Sequence, residues 1–324
     1  MTEGSNINTT SKRQDPAYWA KIAAELEELL EPGSVRTNES MALHTTFRCG
    51  GEARVFVASA DSPETVCKVL SFLEQHSVPF TVIGKGSNLL VSDRGYDGVI
   101  VDLSGSLTKV SVEGRKVTAQ AGASLAAVAR EALNHSLTGM EFAAGIPGTV
   151  GGAVVMNAGA YGGEVRDILR KVKVCCHGEI RTLTAEELEL DYRSSIFSKA
   201  PGDMTVLEAE FLLEEGSRDE ILGKMEDLAA RRREKQPLNY PSAGSTFKRP
   251  KDAFAGKLIQ DAGLSGFTVG GARVSEKHCG FVINYDNATA SDLMELFRRV
   301  AERVYETSGK KLELEVRLLG EFDL

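Results

Sequence analysis

The chain has 324 residues, enough for about two or three domains at roughly 100 to 200 residues each. Hydrophobic residues at 42% and charged residues at 26% fit an ordinary globular protein and exclude a disordered or fibrous one. With 38 Lys and Arg against 46 Asp and Glu, the net charge of -8 argues against a general polyanion binder, and no nucleic-acid partner is expected.

Residues 1–15 have neither a basic start nor an apolar stretch, so a mobile tail is expected there rather than a secretory signal. No apolar run reaches the roughly 20 residues of a membrane span, so no membrane insertion is expected either. Residues 16–31 place Trp19, Ile22, Leu26 and Leu29 or Leu30 at helical spacing until Pro32-Gly33 breaks it. Residues 53–58 read as a strand, 63–76 as a helix, 79–84 as a second strand and 98–104 as a further apolar run. That alternation predicts a βαβ-containing unit with an exposed loop after Ile83.

From 105 to 214 short strands surround one helix, SLAAVAREALNHS, and residues 173–184 predict a hairpin turning at His177-Gly178. From 216 a charged helix carries the apolar stripe Ile221, Leu222, Met225 and Leu228, and its basic end, RRREK, is expected to complement the helix C-terminus and face water. The last third predicts a short helix in AFAGKLIQDAGL and a strand in GFVINY. A long helix follows with Leu293, Leu296, Phe297, Val300 and Val304 inward and Gly309 as its cap. KLELEVRLLGEF then alternates as a terminal strand with Glu313, Glu315 and Arg317 on one side.

The five cysteines form no CxxC pair, and their odd number predicts reduced thiols in a cytoplasmic chain. Five histidines with no HExxH motif predict no metal site. Glycine is more telling, since 15 of the 32 fall between Gly84 and Gly163, about twice an even share. Gly84-Lys85-Gly86-Ser87-Asn88 follows a strand and lacks both the GK[ST] of a Walker loop and a third dinucleotide glycine, so it reads equally as a phosphate cradle or a turn. GIPGTVGGAVVMNAGAYGGEV (145–165) holds seven glycines among apolar residues that need burial, a pattern suited to close approach of a flat ligand.

Together with DYRSSIF (191–197), PSAGSTFKRP (241–250), GGARVSEKHCGFVIN (270–284) and LELEVRLLGEF (312–322), these motifs resemble the MurB family of UDP-N-acetylenolpyruvoylglucosamine reductases from about residue 40 onward. The resemblance implies an α+β chain. Two subdomains, 16–104 (joined by a C-terminal strand, 312–324) and 105–214, would form an FAD-binding fold of the vanillyl-alcohol-oxidase (PCMH-type) group, with an α+β substrate-binding domain at 215–311. It also implies an NADPH-dependent, cytoplasmic FAD enzyme of peptidoglycan precursor synthesis. Its reaction would reduce UDP-N-acetylglucosamine enolpyruvate to UDP-N-acetylmuramate, with hydride passing from flavin N5 to C3.

The implied FAD contacts are Gly84, Lys85, Gly86, Ser87, Asn88 and Leu89 at the pyrophosphate, Gly148, Thr149, Gly152 and Ala158 at the ring, and Arg317. GKGSN has no histidine, which implies noncovalent flavin. By motif position Arg193, Ser245 and Glu315 match the family's catalytic residues. Arg193 offers a planar fork to a carboxylate or enolate. Ser245 would protonate C2, with Lys248 or the local field stabilising its alkoxide, and Glu315 would orient the enolpyruvyl group or assist proton delivery. Leu314 stands where the family has proline. The short path from Arg193 to Ser245 resembles the form lacking an extra substrate-covering loop, which leaves Tyr161 and Tyr240 as candidates to cover the UDP-sugar substrate, with Lys248 and Asn284 as further contacts. The oligomeric state stays open, and a monomer is compatible. Two other readings compete: another noncovalent-FAD sugar or alcohol oxidoreductase, and a catalytically inactive sugar-nucleotide binding protein. Retention of Arg193, Ser245 and Glu315 favours an enzyme.

Overall fold

The computed structural model describes residues 15–322, so the tail expected at 1–15 lies outside the described residues except for Asp15. The Asp15 carboxylate accepts from Ala17 N at 2.9 Å and caps α1 (Pro16–Glu27), which buries Trp19, Ile22 and Leu26. The helix stops four residues short of the expected 31. Glu27 ends it by turning its carboxylate onto the backbone N–H groups of Gly33 and Val35, which fixes the turn at Pro32-Gly33.

The first sheet contains β1 (Val35–Ser40), β2 (Glu52–Val57), β3 (Phe80–Ile83) and, beyond a short β4 (Leu89–Val91), β5 (Tyr96–Asp102). Its order is β1-β2-β5-β3, with β2 and β3 both parallel to β5. The crossover between β2 and β3 is α2 (Pro63–Gln75), capped by Ser62 Oγ on Thr65 N, with Val66, Val69, Leu70 and Leu73 buried. This is the expected βαβ unit. The expectation lacked β1, whose sequence VRTNES has no apolar alternation.

The second sheet is antiparallel throughout. It comprises β6 (Val110–Glu113), β7 (Lys116–Gln120), β8 (Leu169–Cys176), β9 (Glu179–Thr184) and β10 (Thr205–Leu212), in the order β9-β8-β10-β7-β6. The β8–β9 hairpin turns at His177 and Gly178, both at positive φ, as a tight two-residue hairpin requires. Against this sheet lie α3 (Leu125–Asn134) and α4 (Val150–Val155), and α4 is formed by the glycine-rich segment itself.

The later part of the chain contributes α5 (Arg218–Lys235), α6 (Ala255–Asp261), β11 (Ala272–Val274), β12 (Val282–Asn284), α7 (Ala290–Ser308) and β13 (Arg317–Leu319). Helix α7 buries Leu293, Leu296, Phe297, Val300 and Val304, is capped by Thr289, and ends at Gly309 with φ +69°. The terminal segment is not one continuous strand from 312. Leu314 bridges Phe247, and only β13 then runs parallel to β4. The chain must leave one partner and take another, so the ladder breaks between them.

We keep 16–104, 105–214 and 215–311 as a proposed division, because each segment has a sheet of its own. The first two nonetheless share one core, in which Val55, Val99 and Val101 pack with Val117, Ala119 and Val172. The third core gathers α7 around Phe247 and reaches into the first segment through Phe47 and Leu90. Among the described residues no helix is long and apolar enough to cross a membrane, and no cluster of His, Cys, Asp or Glu could hold a metal ion.

Candidate active site

A cleft of about 650 Å³ is lined by β3 and its following loop, by residues 146–160, by Arg193, and by Ala243, Gly244, Ser245, Phe281, Glu315 and Arg317. Walls therefore come from all three segments, a usual setting for a ligand.

The loop Gly84–Asn88 leaves β3 directly into the cleft. A Cβ on Gly84 would collide with Thr149 Oγ1, and one on Gly86, at φ +57°, would collide with the carbonyl oxygen of His44. Both glycines are thus required by the protein's own packing. Thr149 cannot retreat freely, because its Oγ1 accepts from Gly152 N at 3.4 Å at the start of α4. The expected place of Asn88 at the pyrophosphate meets a competing use of its side chain. Its Nδ2 donates to Glu315 O and Met156 Sδ, each at 2.9 Å, and its own carbonyl accepts from Arg317 N at 3.0 Å. Asn88 therefore stitches the loop to residues 315–317.

Arg317 lines the cleft half-buried, its guanidinium with no acidic partner among the described residues, and burial lowers its pKa. An unpaired cation held away from water is costly, so this position suits an anion. The Gly84–Asn88 loop with its two glycines, exposed Lys85 and unpaired Arg317 fit the pyrophosphate of FAD. Gly148, Thr149, Gly152 and Ala158 line the same cleft with small side chains or none, which leaves room for its ring.

Arg193 sits at φ +52° in the tight turn Asp191–Ser194, an unusual conformation for a residue with a side chain. Its Nε donates to Glu315 Oε1 at 2.7 Å, and its terminal nitrogens donate to Gly159 O at 3.0 Å and Asn157 O at 3.4 Å. Burial pushes the Glu315 carboxyl above the ordinary glutamate range, against the opposing pull of Arg193 and Lys248. Ser245 is exposed to the cleft on a shelf set by its fully buried neighbour. Thr246 N donates to Gly280 O, Thr246 Oγ1 accepts from Val282 N, and Thr246 O accepts from Glu315 N. One residue thereby registers Ser245 and Glu315 against each other.

All three expected catalytic residues and all eleven expected cofactor residues line the cleft. The expected substrate residues do not. Tyr161 lines an adjoining cavity of about 210 Å³, and Tyr240 stacks on Tyr285 with centroids 5.4 Å apart. Lys248 reaches Glu313 at 3.4 Å on the rim. Asn284 is buried, donating to Phe47 O and accepting from Ala288 N, which gives it a packing role.

Sequence reasoning missed Arg232 and Gln236, which also line the cleft. RRREK was expected to face water, but Arg232 turns inward and burial lowers its pKa, partly opposed by Tyr161. Its spacing after Ile221, Met225 and Leu228 continues the apolar stripe, and that signal was available.

Comparison with known proteins bears on the same residues. Residues 55–184 match an FAD binding domain, and residues 236–319 match the C-terminal domain of UDP-N-acetylenolpyruvoylglucosamine reductase. The chain is 51% identical over 305 residues to UDP-N-acetylenolpyruvoylglucosamine reductase of Lachnoclostridium phytofermentans, covering 93% of this chain and 97% of that protein. It is 49% identical over 301 residues to the same-named protein of Caldanaerobacter subterraneus subsp. tengcongensis, covering 93% and 98%. The crystal structure of UDP-N-acetylenolpyruvylglucosamine reductase (MurB) from Thermus caldophilus superposes with a TM-score of 0.76 at 34% identity, over 88% of this chain and all of that one.

Proposed function

The chain belongs to the UDP-N-acetylenolpyruvoylglucosamine reductase family, and from that membership we propose how its own residues carry the reaction. It is an FAD-dependent oxidoreductase of peptidoglycan precursor synthesis. When bound, FAD supplies the hydride route from NADPH to C3 of the enolpyruvyl group of UDP-N-acetylglucosamine enolpyruvate. The protein must then hold the substrate carboxylate, accommodate charge as it builds on C2, and deliver one proton to C2.

Arg193 takes the carboxylate. Its guanidinium is planar, half-buried and already oriented by Glu315 and two backbone carbonyls, so little order remains to be imposed when substrate arrives. Ser245 donates the proton to C2 from its exposed hydroxyl and recovers it from solvent. Glu315 holds Arg193 and sits behind the developing charge. Burial raises its pKa while Arg193 and Lys248 pull it down. Gly84–Asn88 and Arg317 would hold the pyrophosphate of FAD, and Gly148, Thr149, Gly152 and Ala158 would leave room for its ring.

The observation that carries this reading is the convergence of Arg193, Ser245 and Glu315 on a single cleft that has a dinucleotide-compatible loop at its side. Stopped-flow separation of the two half-reactions tests it. In Ser245→Ala, flavin reduction by NADPH should stay near normal while reoxidation by substrate falls by about 10² to 10⁴-fold. Equal slowing of both steps, or of neither, would assign Ser245 to the turn alone.

A further inference from the structure

The glycine-rich segment beneath the cleft carries one polar side chain that is completely buried, Asn157, at φ +41°. Its Nδ2 donates to Asp191 O at 3.1 Å and to Glu164 Oε2 at 2.9 Å, and its Oδ1 accepts from Arg166 N at 2.9 Å. Its backbone carbonyl accepts from a terminal nitrogen of Arg193 at 3.4 Å. The same residue therefore touches the arm Asp191–Ser194 twice, once at its base and once at the working end of Arg193. The other foot of the arm is fixed from the same segment, since buried Ser195 Oγ donates to Val155 O at 2.6 Å.

These contacts exceed what packing needs. A buried amide with its donors and acceptor all engaged costs little but gains little over an apolar residue of similar shape. What it adds is registry between elements far apart in sequence, here segment 155–159 and the arm that presents Arg193. We propose that Asn157 is a positioning residue for the reaction: it sets the height of the Arg193 arm above the cleft floor, so that the guanidinium meets the substrate carboxylate in the reactive orientation. The inference rests on the role given to Arg193 above.

Two substitutions test it. Asn157→Asp keeps the shape but replaces both N–H donors with a carboxylate oxygen facing Glu164. Asn157→Gly keeps the left-handed backbone and removes every side-chain tie. In either variant FAD stoichiometry and flavin reduction by NADPH should stay within about twofold of wild type, while reoxidation by substrate slows by roughly 10 to 10²-fold, the scale of a misplaced positioning group. The decisive measurement is a double-mutant cycle on the reoxidation step. In an Arg193→Ala background either change should add less than about twofold, because a group that acts through Arg193 has nothing left to position. Equal losses in both backgrounds, or loss of FAD from both variants, would overturn the inference and leave Asn157 as a structural residue. If Arg193→Ala alone leaves reoxidation unchanged, the role of Arg193 fails and this inference falls with it. A slow Arg193→Ala with an additive cycle defeats only the inference.

Discussion

Gly84 shows how a single hydrogen atom can be a structural requirement. The neighbouring Thr149 hydroxyl lies where a methyl group would go, and that hydroxyl is tied to the first turn of α4. Gly84→Ala should therefore cost about 1–3 kcal/mol of apoprotein stability through overpacking, and should weaken FAD binding because the loop must lift to admit the methyl. Denaturant unfolding and a flavin-fluorescence titration measure the two effects, and an unchanged affinity would separate the loop from the cofactor. His278 makes a different prediction. Burial lowers its pKa, and its Nδ1 accepts from Gly280 N at 3.1 Å, which requires the neutral ring. The unfolded chain thus takes up the proton first as pH falls below the ordinary histidine value of about 6.5, and stability is lost from there down toward the lowered folded value. Gly280 O holds Thr246 beside Ser245, so the loss reaches the catalytic shelf. His278→Gln should flatten the fall in melting temperature between about pH 7 and pH 5, and an equally steep fall in the variant would count against it. Residue-scale legibility was uneven. Arg193, Ser245 and Glu315 were readable because motif resemblance supplied them, whereas Asn157 was not, because nothing local in MNAGAY says which distant carbonyl its amide will meet.

At the scale of elements, the joint between β4 and α7 stands out. Asp93, just beyond β4, accepts from Ala290 N and Ser291 N at 2.8 Å each and from Ser291 Oγ at 2.6 Å, so a side chain from the first segment caps a helix of the third. Thr289 already caps the same helix from within. Asp93→Ala should cost about 1–2 kcal/mol in denaturant unfolding with an unchanged m-value, and a neutral result would mean that Thr289 alone suffices. Helices α2 and α7 were legible because their apolar residues recur at helical spacing and their caps stand in the sequence. Strand β1 was not, because VRTNES is an edge strand whose pairing is backbone-driven and whose side chains carry no periodic signal. Helix α4 was hidden for the opposite reason: two adjacent glycines are poor helix formers, and only packing on β10 makes that turn helical. The terminal segment alternated correctly in sequence. Its division between Phe247 and β4 depends on neighbours that no window of residues contains.

For the molecule as a whole, the cleft is the place where the segments meet, and that has a thermodynamic signature. A ligand bound by walls from every segment stabilises all of them together, by about 2.7 kcal/mol when free ligand is 100 times its Kd. Calorimetry of apoprotein with added FAD should show one transition moving upward. Two transitions of which only one moves would mean that the ligand belongs to a single segment. The core shared between residues 16–104 and 105–214 leads to the same expectation, since neither half can melt without exposing the other. The bond from Asn88 to Glu315 also bears on how the protein is made. Its two residues lie 227 positions apart. At 5–20 residues per second, a ribosome needs roughly 11 to 45 s between them. For that interval the newborn β4 presents an open edge with no β13 to cover it, a surface on which nascent chains can pair wrongly. Neither Glu315 nor Arg317 yet exists, so the cleft lacks one of its walls. If Arg317 holds the pyrophosphate as proposed, full FAD binding has to wait until residues 315–317 have been made.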